Sequence, residues 1–417
     1  MVSLLLTLSL EYLGRNKMHH ETRYIQSGKD TITAKGSVNP PIYKTSTILF
    51  PSLKAYNDAQ NGIDYYGIVE GVKPTDFSYG LGGTSTTHLL QKAIAELDGG
   101  DYSIIFPSGL CAITITMLSF LSAGDHVLMT DNVYGPTRRF CNKELKKLGV
   151  ETKFYDPRIG GGIRDLIKPN TKIVFTESPG SLTFEVQDIP AIVHAVKEYN
   201  PEIVVIIDNS WATPIYFKAF EHGADVSIQA GTKYIGGHSD VFLGTVTAKA
   251  NIYDNIVKTS KNFGPYTSPD ECYMALRGLR TLPTRLKVHE KSALNVAKWL
   301  QKRKEVAKVL HPALPAHPDH KIFKRDFSGS TGLFSIILDK KYSSEALSVF
   351  IDSMQIFGIG ASWGGYESLI IHFDPKPIRT AVAWQEEGSC IRLYIGLENE
   401  ADIIEDLDKA FTRLANF

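Results

Sequence analysis

Two hydrophobic rhythms alternate between residues 84 and 230. Residues 84–97 place Leu89, Leu90, Ala93, Ile94 and Leu97 at helical spacing ahead of Gly99-Gly100, which predicts an amphipathic helix with a glycine stop. Short continuous apolar runs at 103–106, 126–130, 172–176, 203–207 and 226–229 predict strands buried on both faces. The intervening stretches predict helices at 110–121, 136–148 and 188–199, the last with Asp188 as its cap and Pro190 in its first turn. Alternation of this kind builds an α/β domain with a mostly parallel sheet, and ligands of such sheets sit beyond the carboxyl ends of the strands.

The rhythm changes on either side. Residues 18–79 are rich in Gly, Pro, Asn and Tyr with little periodicity, which predicts an extended arm rather than a core of its own. Past about residue 279 the pattern predicts a long helix at 283–309, strands at 333–338, 368–373 and 391–395, and helices at 344–357 and 401–415. The expected organisation is an N-terminal extension and arm over 1–83, a large domain over 84–279 and a smaller α+β domain over 280–417.

Composition narrows the function classes. The 417 residues carry 45 basic and 45 acidic side chains, and this zero formal charge gives no electrostatic footing for nucleic acid. Cys111, Cys141, Cys272 and Cys390 are scattered without CxxC spacing, so reduced thiols of a cytoplasmic enzyme are expected and no metal site. Residues 1–13 are leucine-rich, but no Lys or Arg precedes the stretch and it is too short to span a bilayer. It is expected to lie outside the fold, with Met18 as an alternative start; a signal peptide is the competing reading. No other run is apolar enough for a membrane helix.

Candidate chemistry gathers at two predicted strand ends. Lys233 follows the strand at 226–229 and stands between Thr232 and Tyr234. Burial disfavours an ammonium, and a neutral amine is a nucleophile that condenses with an aldehyde. Asp208 closes the apolar run at 203–207, where a carboxylate opposite a pyridine nitrogen favours the protonated ring. A lysine for the aldehyde and an aspartate for the ring nitrogen are the two protein groups that pyridoxal phosphate (PLP) most needs. Phosphate signals accompany them: Gly109 in a strand-to-helix turn, the hydroxyl of Thr232, and Tyr79 reaching in from the arm. Tyr134, just past the strand at 126–130, is placed to stack on the ring. For each of these alone the plain reading is structural: a turn glycine, a cap, a core tyrosine, a surface lysine.

The stretches 128–136, 176–181, 207–212 and 229–240, in that order, resemble the Cys/Met-metabolism family of PLP enzymes. The resemblance runs from about residue 22 to the C-terminus. It implies an aspartate-aminotransferase-like fold (fold type I) and a homotetramer built from dimers with shared active sites. By motif it makes Lys233 the Schiff-base lysine, Asp208 the pyridinium partner and Tyr134 the stacking ring. Gly109 and Leu110 become backbone phosphate donors, Thr232 a side-chain donor, and Tyr79 a residue reaching the neighbouring subunit's phosphate. Ala230, where the γ-eliminating branches carry serine, and Ala361-Ser362-Trp363-Gly364-Gly365-Tyr366-Glu367-Ser368 resemble the cystathionine β-lyase branch. Ser362 and Trp363 are thereby expected beside the substrate, and Arg392 on its α-carboxylate, for which its planar fork is suited.

One position departs from the family pattern. Leu81, in Tyr79-Gly80-Leu81-Gly82-Gly83-Thr84, stands where the family carries a phosphate-binding arginine. The implied reaction is β-elimination at the Cβ–S bond of cystathionine, giving homocysteine, pyruvate and ammonia. Rival readings are a cysteine or cysteine-S-conjugate β-lyase, a γ-lyase or γ-synthase relative, and a non-catalytic PLP-binding regulatory protein. The distal substrate pocket, shaped by loops around Tyr66 and Trp363, is not legible from the chain.

Overall fold

The computed structural model describes residues 18–29, 36–60 and 78–417. The expectations for residues 1–17, and for the loop around Tyr66, lie outside the described residues. Seven strands form the larger sheet: β1 (Tyr102–Phe106), β2 (His126–Thr130), β3 (Glu151–Tyr155), β4 (Thr171–Glu177), β5 (Val204–Asp208), β6 (Val226–Ala230) and β7 (Gly244–Ala248). Their order is β1-β7-β6-β5-β4-β2-β3. Strand β7 runs antiparallel to both neighbours, and the remaining pairs are parallel.

Both faces of this sheet are apolar because successive residues of each central strand are buried on opposite sides. Val205 and Ile207 of β5 face one way, toward Leu90 and Ile94 of helix Ser85–Asp98 and Ile192 and Val196 of helix Ile189–Tyr199. Val204 and Ile206 face the other, toward Ala112 and Ile113 of helix Gly109–Leu118. Capping follows the sequence: Asp188 accepts a bond from Ala191 N, and Gly99 ends its helix in the left-handed region.

The smaller sheet contains β8 (Val306–Leu310), β9 (Leu333–Leu338), β10 (Gly358–Ile359), β11 (Leu369–Phe373) and β12 (Cys390–Tyr394), ordered β10-β11-β12-β9-β8. Helices Ser344–Asp352 and Glu400–Leu414 cover one face, where Phe350 and Phe411 meet with ring centroids 4.9 Å apart. The mostly parallel large sheet and smaller α+β unit are thus present.

Several elements differ from expectation. The long helix is Pro269–Leu300 rather than 283–309. Ser268 caps it and Pro269 occupies its first position, so Pro283 lies inside the helix instead of opening it. The apolar positions beyond Leu300 that prolonged the helical pattern belong to β8. The expected boundary near residue 280 falls within this continuous helix. Strand β3 escaped notice because its polar residues sit at a half-exposed sheet edge, and β7 because its threonines are buried hydroxyls. Helix Ala250–Phe263 was also unanticipated, and the arm contains helices His20–Gln26 and Leu53–Gln60.

Phe411 is fully buried in the smaller unit's core, so Phe411→Ala is expected to lower stability by about 3–5 kcal/mol through lost packing and the residual cavity. Denaturant unfolding monitored by circular dichroism checks this; a loss below about 1 kcal/mol would show that the site collapses freely.

Candidate active site

The carboxyl ends of β2, β4, β5 and β6 converge on one cleft of about 370 Å³, closed on the other side by residues of the smaller unit. Lys233 reaches it from a turn just past β6, where its backbone N–H bonds Ala230 O at 2.9 Å. Its Nζ donates to Ser362 Oγ at 2.7 Å and lies 5.2 Å from the centroid of the Trp363 ring. Burial and then the Arg392 charge push the Lys233 pKa down to about 8, against the pull of Asp208. An appreciable fraction of the amine is therefore neutral near neutral pH.

Asp208 ends β5 beside Glu177, which ends β4 in direct register with it. Burial raises the Asp208 pKa, while the hydroxyl and N–H of Ser210 and the charge of Lys233 hold it back. The Ser210 N–H bond to Asp208 Oδ1 is 3.0 Å. Glu177 is pushed well above the carboxylate range, first by burial and then by Asp208. It accepts the Tyr134 backbone N–H at 2.8 Å and so anchors that residue. The Tyr134 ring lines the cleft, and its phenol is held protonated by burial and by the two carboxyl groups. Glu177 and Ser210 were missed as site residues, although Glu177 stands, like Asp208, at the end of a predicted buried strand.

Helix Gly109–Leu118 points its first turn at the same space. Ser108 caps it by accepting Cys111 N at 3.1 Å. A Cβ on Gly109 would lie 2.7 Å from Ala230 Cβ, so glycine lets the helix start press against the end of β6. The first-turn amides of Gly109 and Leu110 have no partner within the helix and suit an anion. Thr232 lines the cleft, but its hydroxyl accepts Leu243 N at 3.0 Å and donates to Leu243 O at 3.2 Å. Tyr79 and Leu81 lie elsewhere, around a separate depression with Ser78, Thr267 and, from helix Ser85–Asp98, Thr87 and Gln91. Arg138 is committed to Asp131 at 2.6 Å and is no substitute for the missing arginine.

Arg392, on β12, brings its guanidinium to the cleft floor. One nitrogen donates to the carbonyls of Gly360, Ala361 and Ser362 at 3.2, 2.9 and 3.0 Å. Burial lowers its pKa to about 10, with Tyr134 pulling the other way. Among the described residues no carboxylate forms an ion pair with it. Such a desolvated cation favours an anionic ligand. Ser362 and Trp363 flank it, and the backbone of Lys233 would lie 2.7 Å from a Cβ on Gly364, which keeps the Trp363 loop close.

This donor set fits pyridoxal phosphate: a buried amine with a lowered pKa, a buried carboxylate, an aromatic face and a helix N-terminus around one cavity. Among the described residues no cluster of His, Cys, Asp and Glu suits a metal ion, and no helix is long and apolar enough to cross a membrane.

The profile of the Cys/Met metabolism PLP-dependent enzyme family matches residues 21–412. The L-alanine/L-glutamate racemase of Wolbachia pipientis wMel is 46% identical over 398 residues, covering 95% of this chain and 98% of that one. The cystathionine beta-lyase of Haemophilus influenzae is 43% identical over 404 residues, covering 96% and 100%. The crystal structure of metB from Corynebacterium glutamicum superposes with a TM-score of 0.86 at 28% identity, covering 96% of this chain and 99% of that one. A profile match along nearly the whole chain, a shared fold and a cleft suited to the cofactor lead to one conclusion: the chain belongs to the Cys/Met metabolism family of PLP-dependent enzymes.

Proposed function

We propose that the chain is a carbon–sulfur lyase that eliminates the Cβ–S bond of L-cystathionine. The observation that carries this reading is the buried Lys233 amine set in one cleft with Asp208 and with Arg392, which has no carboxylate partner among the described residues. Pyridoxal phosphate, when bound, supplies a conjugated ring that accommodates the electron pair of the broken Cα–H bond. Asp208 would face the ring nitrogen and favour its protonated form, keeping the ring electron-poor. Arg392 takes the α-carboxylate with the donors not spent on the 360–362 carbonyls. Lys233 removes the Cα proton as a general base. The Cβ–S bond then breaks, and the departing sulfur takes a proton from Lys233, assisted by the Tyr134 phenol. The three-carbon fragment leaves and hydrolyses to pyruvate and ammonia.

A second reading is racemisation, supported by the Wolbachia relative of that name and by two proton carriers, Lys233 and Tyr134, lining one cleft. Alanine and glutamate have no sulfur at Cβ to expel, so proton removal is followed only by proton return. Return from the other face inverts Cα.

The site is also proposed to be completed by a second copy of the chain. Tyr79 and Leu81 are 53% and 43% exposed and lie away from their own cleft, as residues serving a neighbouring subunit would. Supplying the missing guanidinium by Leu81→Arg is expected to lower the Kd for PLP by roughly tenfold or more, since a charge-assisted bond contributes roughly 1.5–3 kcal/mol. Titration of both apoproteins with PLP checks this; equal or weaker binding by the variant means that another group already holds the phosphate.

Release of pyruvate from L-cystathionine and L-cystine and of 2-oxobutyrate from L-methionine, beside chiral analysis of L-alanine and L-glutamate, tests the two readings together. Pyruvate from cystathionine with the highest kcat/KM supports the lyase. D-alanine or D-glutamate formation without pyruvate from any thioether supports the racemase instead. Asp208→Asn is expected to retain some cofactor while slowing elimination by at least tenfold, because one pKa unit at the ring nitrogen is worth about 1.36 kcal/mol. An unchanged rate would remove Asp208 from its role. PLP capture by apoprotein should accelerate as pH rises through about 8 and then level off, because the neutral amine is the reactive form. Stopped-flow absorbance reads this directly, and a pH-independent rate would contradict it.

A further inference from the structure

A buried ionic cluster lies behind the cleft wall that carries Tyr134, and the chemistry above makes no use of it. It holds two guanidiniums and two carboxylates, with side chains of Arg138, Arg379, Asp131 and Glu185 exposed by 7%, 4%, 0% and 4%. Arg379 comes from the segment that leads into β12. Its Nη1 donates to Glu185 Oε1 at 2.7 Å and to Thr183 Oγ1 at 3.2 Å, and its Nε lies 3.3 Å from Asp131 Oδ2. The N–H groups of Thr380, Ala381 and Val382 follow it onto Asp131, at 3.0, 3.0 and 3.2 Å.

The two carboxylates belong to the two loops that build the wall. Asp131 stands three residues before Tyr134. Glu185 ends the 180–185 turn, in which Gly180, Ser181, Leu182 and Phe184 line the cleft. Its second oxygen takes the Thr183 hydroxyl at 2.6 Å and the Asn132 amide at 3.2 Å. Asn132 O in turn accepts Ser181 N at 2.9 Å. A Cβ on Gly180 would fall 1.8 Å from Asn132 Nδ2, so the loops touch as closely as glycine permits. Arg379 reaches the cluster from a segment distant in sequence from both loops, and it faces an acid on each.

We propose that Arg379 is a positioning residue for the reaction, holding the Tyr134 loop in register with the 180–185 wall and acting on the chemistry through Tyr134. The inference rests on the part given to Tyr134 above. A buried ion pair adds little net stability over an apolar pair of equal volume, so strength alone does not account for this arrangement. What the guanidinium does provide is one planar cation set between two acids, hydrogen-bonded to Glu185 and facing Asp131 at 3.3 Å. Small displacements of a reacting group cost rate out of proportion to their size.

The test compares holoenzymes. Removing Arg379 alone would strand Glu185 as a buried, unpaired charge. The variant is therefore Arg379→Met with Glu185→Gln, which leaves the Arg138–Asp131 pair in place. It is measured in the wild-type background and in Tyr134→Phe. The expected result is a roughly tenfold or larger fall in kcat, with KM within about twofold and the cofactor's visible band retained. In the Tyr134→Phe background the same change should cost less than about twofold, since coupled residues are non-additive. Should the double variant fail to hold cofactor, Arg379→Lys, which keeps the charge and loses the fork, is measured in the same two backgrounds with the same expectation. A Tyr134→Phe enzyme that turns over at the wild-type rate refutes the role of Tyr134. A slow Tyr134→Phe enzyme in which the Arg379 change costs its full factor again refutes the inference, as does an Arg379 variant with wild-type kcat.

Discussion

Desolvation of the Lys233 amine sets what the cleft can do, because burial and the neighbouring Arg392 charge both work against the ammonium form. The fold supplies that desolvation. Strand β6 is buried along its length and ends beside the glycine-permitted start of helix Gly109–Leu118, and the turn that follows carries the lysine under Trp363. A surface lysine would remain almost wholly charged at neutral pH and would be a poor nucleophile. Placing the amine at the carboxyl edge of a parallel sheet also puts it within reach of groups from several strands.

Charge around the amine is divided rather than neutralised. Arg392 spends one nitrogen on three backbone carbonyls and keeps its charge without an acid partner among the described residues, which suits it to a substrate carboxylate. On the opposite side Glu177 and Asp208 adjoin at the ends of paired strands, and two carboxyls so placed resist ionising together. Ser210 and Lys233 favour the ionised form at Asp208, whereas Glu177 is driven toward its protonated form. The negative charge is thereby favoured at Asp208 over Glu177, and Glu177 serves as the anchor of Tyr134.

Much of this was legible in the chain because the informative residues follow long apolar strands. The runs ending at Asp208 and just before Lys233 marked both the sheet and the edge where the cleft opens, and the structure brings Lys233, Asp208, Tyr134, Arg392, Ser362 and Trp363 into one cleft. What escaped lies in contacts between segments distant in sequence. Arg379 carries no local signal, since its meaning comes from Asp131 and Glu185, far away along the chain. Thr232 offered a hydroxyl in the sequence, but the backbone of Leu243, just ahead of the unanticipated β7, engages it. Pro283 misled because a proline reads as a helix start, yet the stronger signal, Ser268-Pro269, stood further upstream.

The central claim is that Lys233 is the group that carries the cofactor. Reduction of the holoenzyme with borohydride fixes pyridoxal phosphate to whichever amine holds it, and peptide mass spectrometry then locates the label. A single phosphopyridoxyl group is expected on the peptide containing Lys233, with the visible band lost on reduction. A label on another lysine, or none on a protein that retains the band, would contradict it.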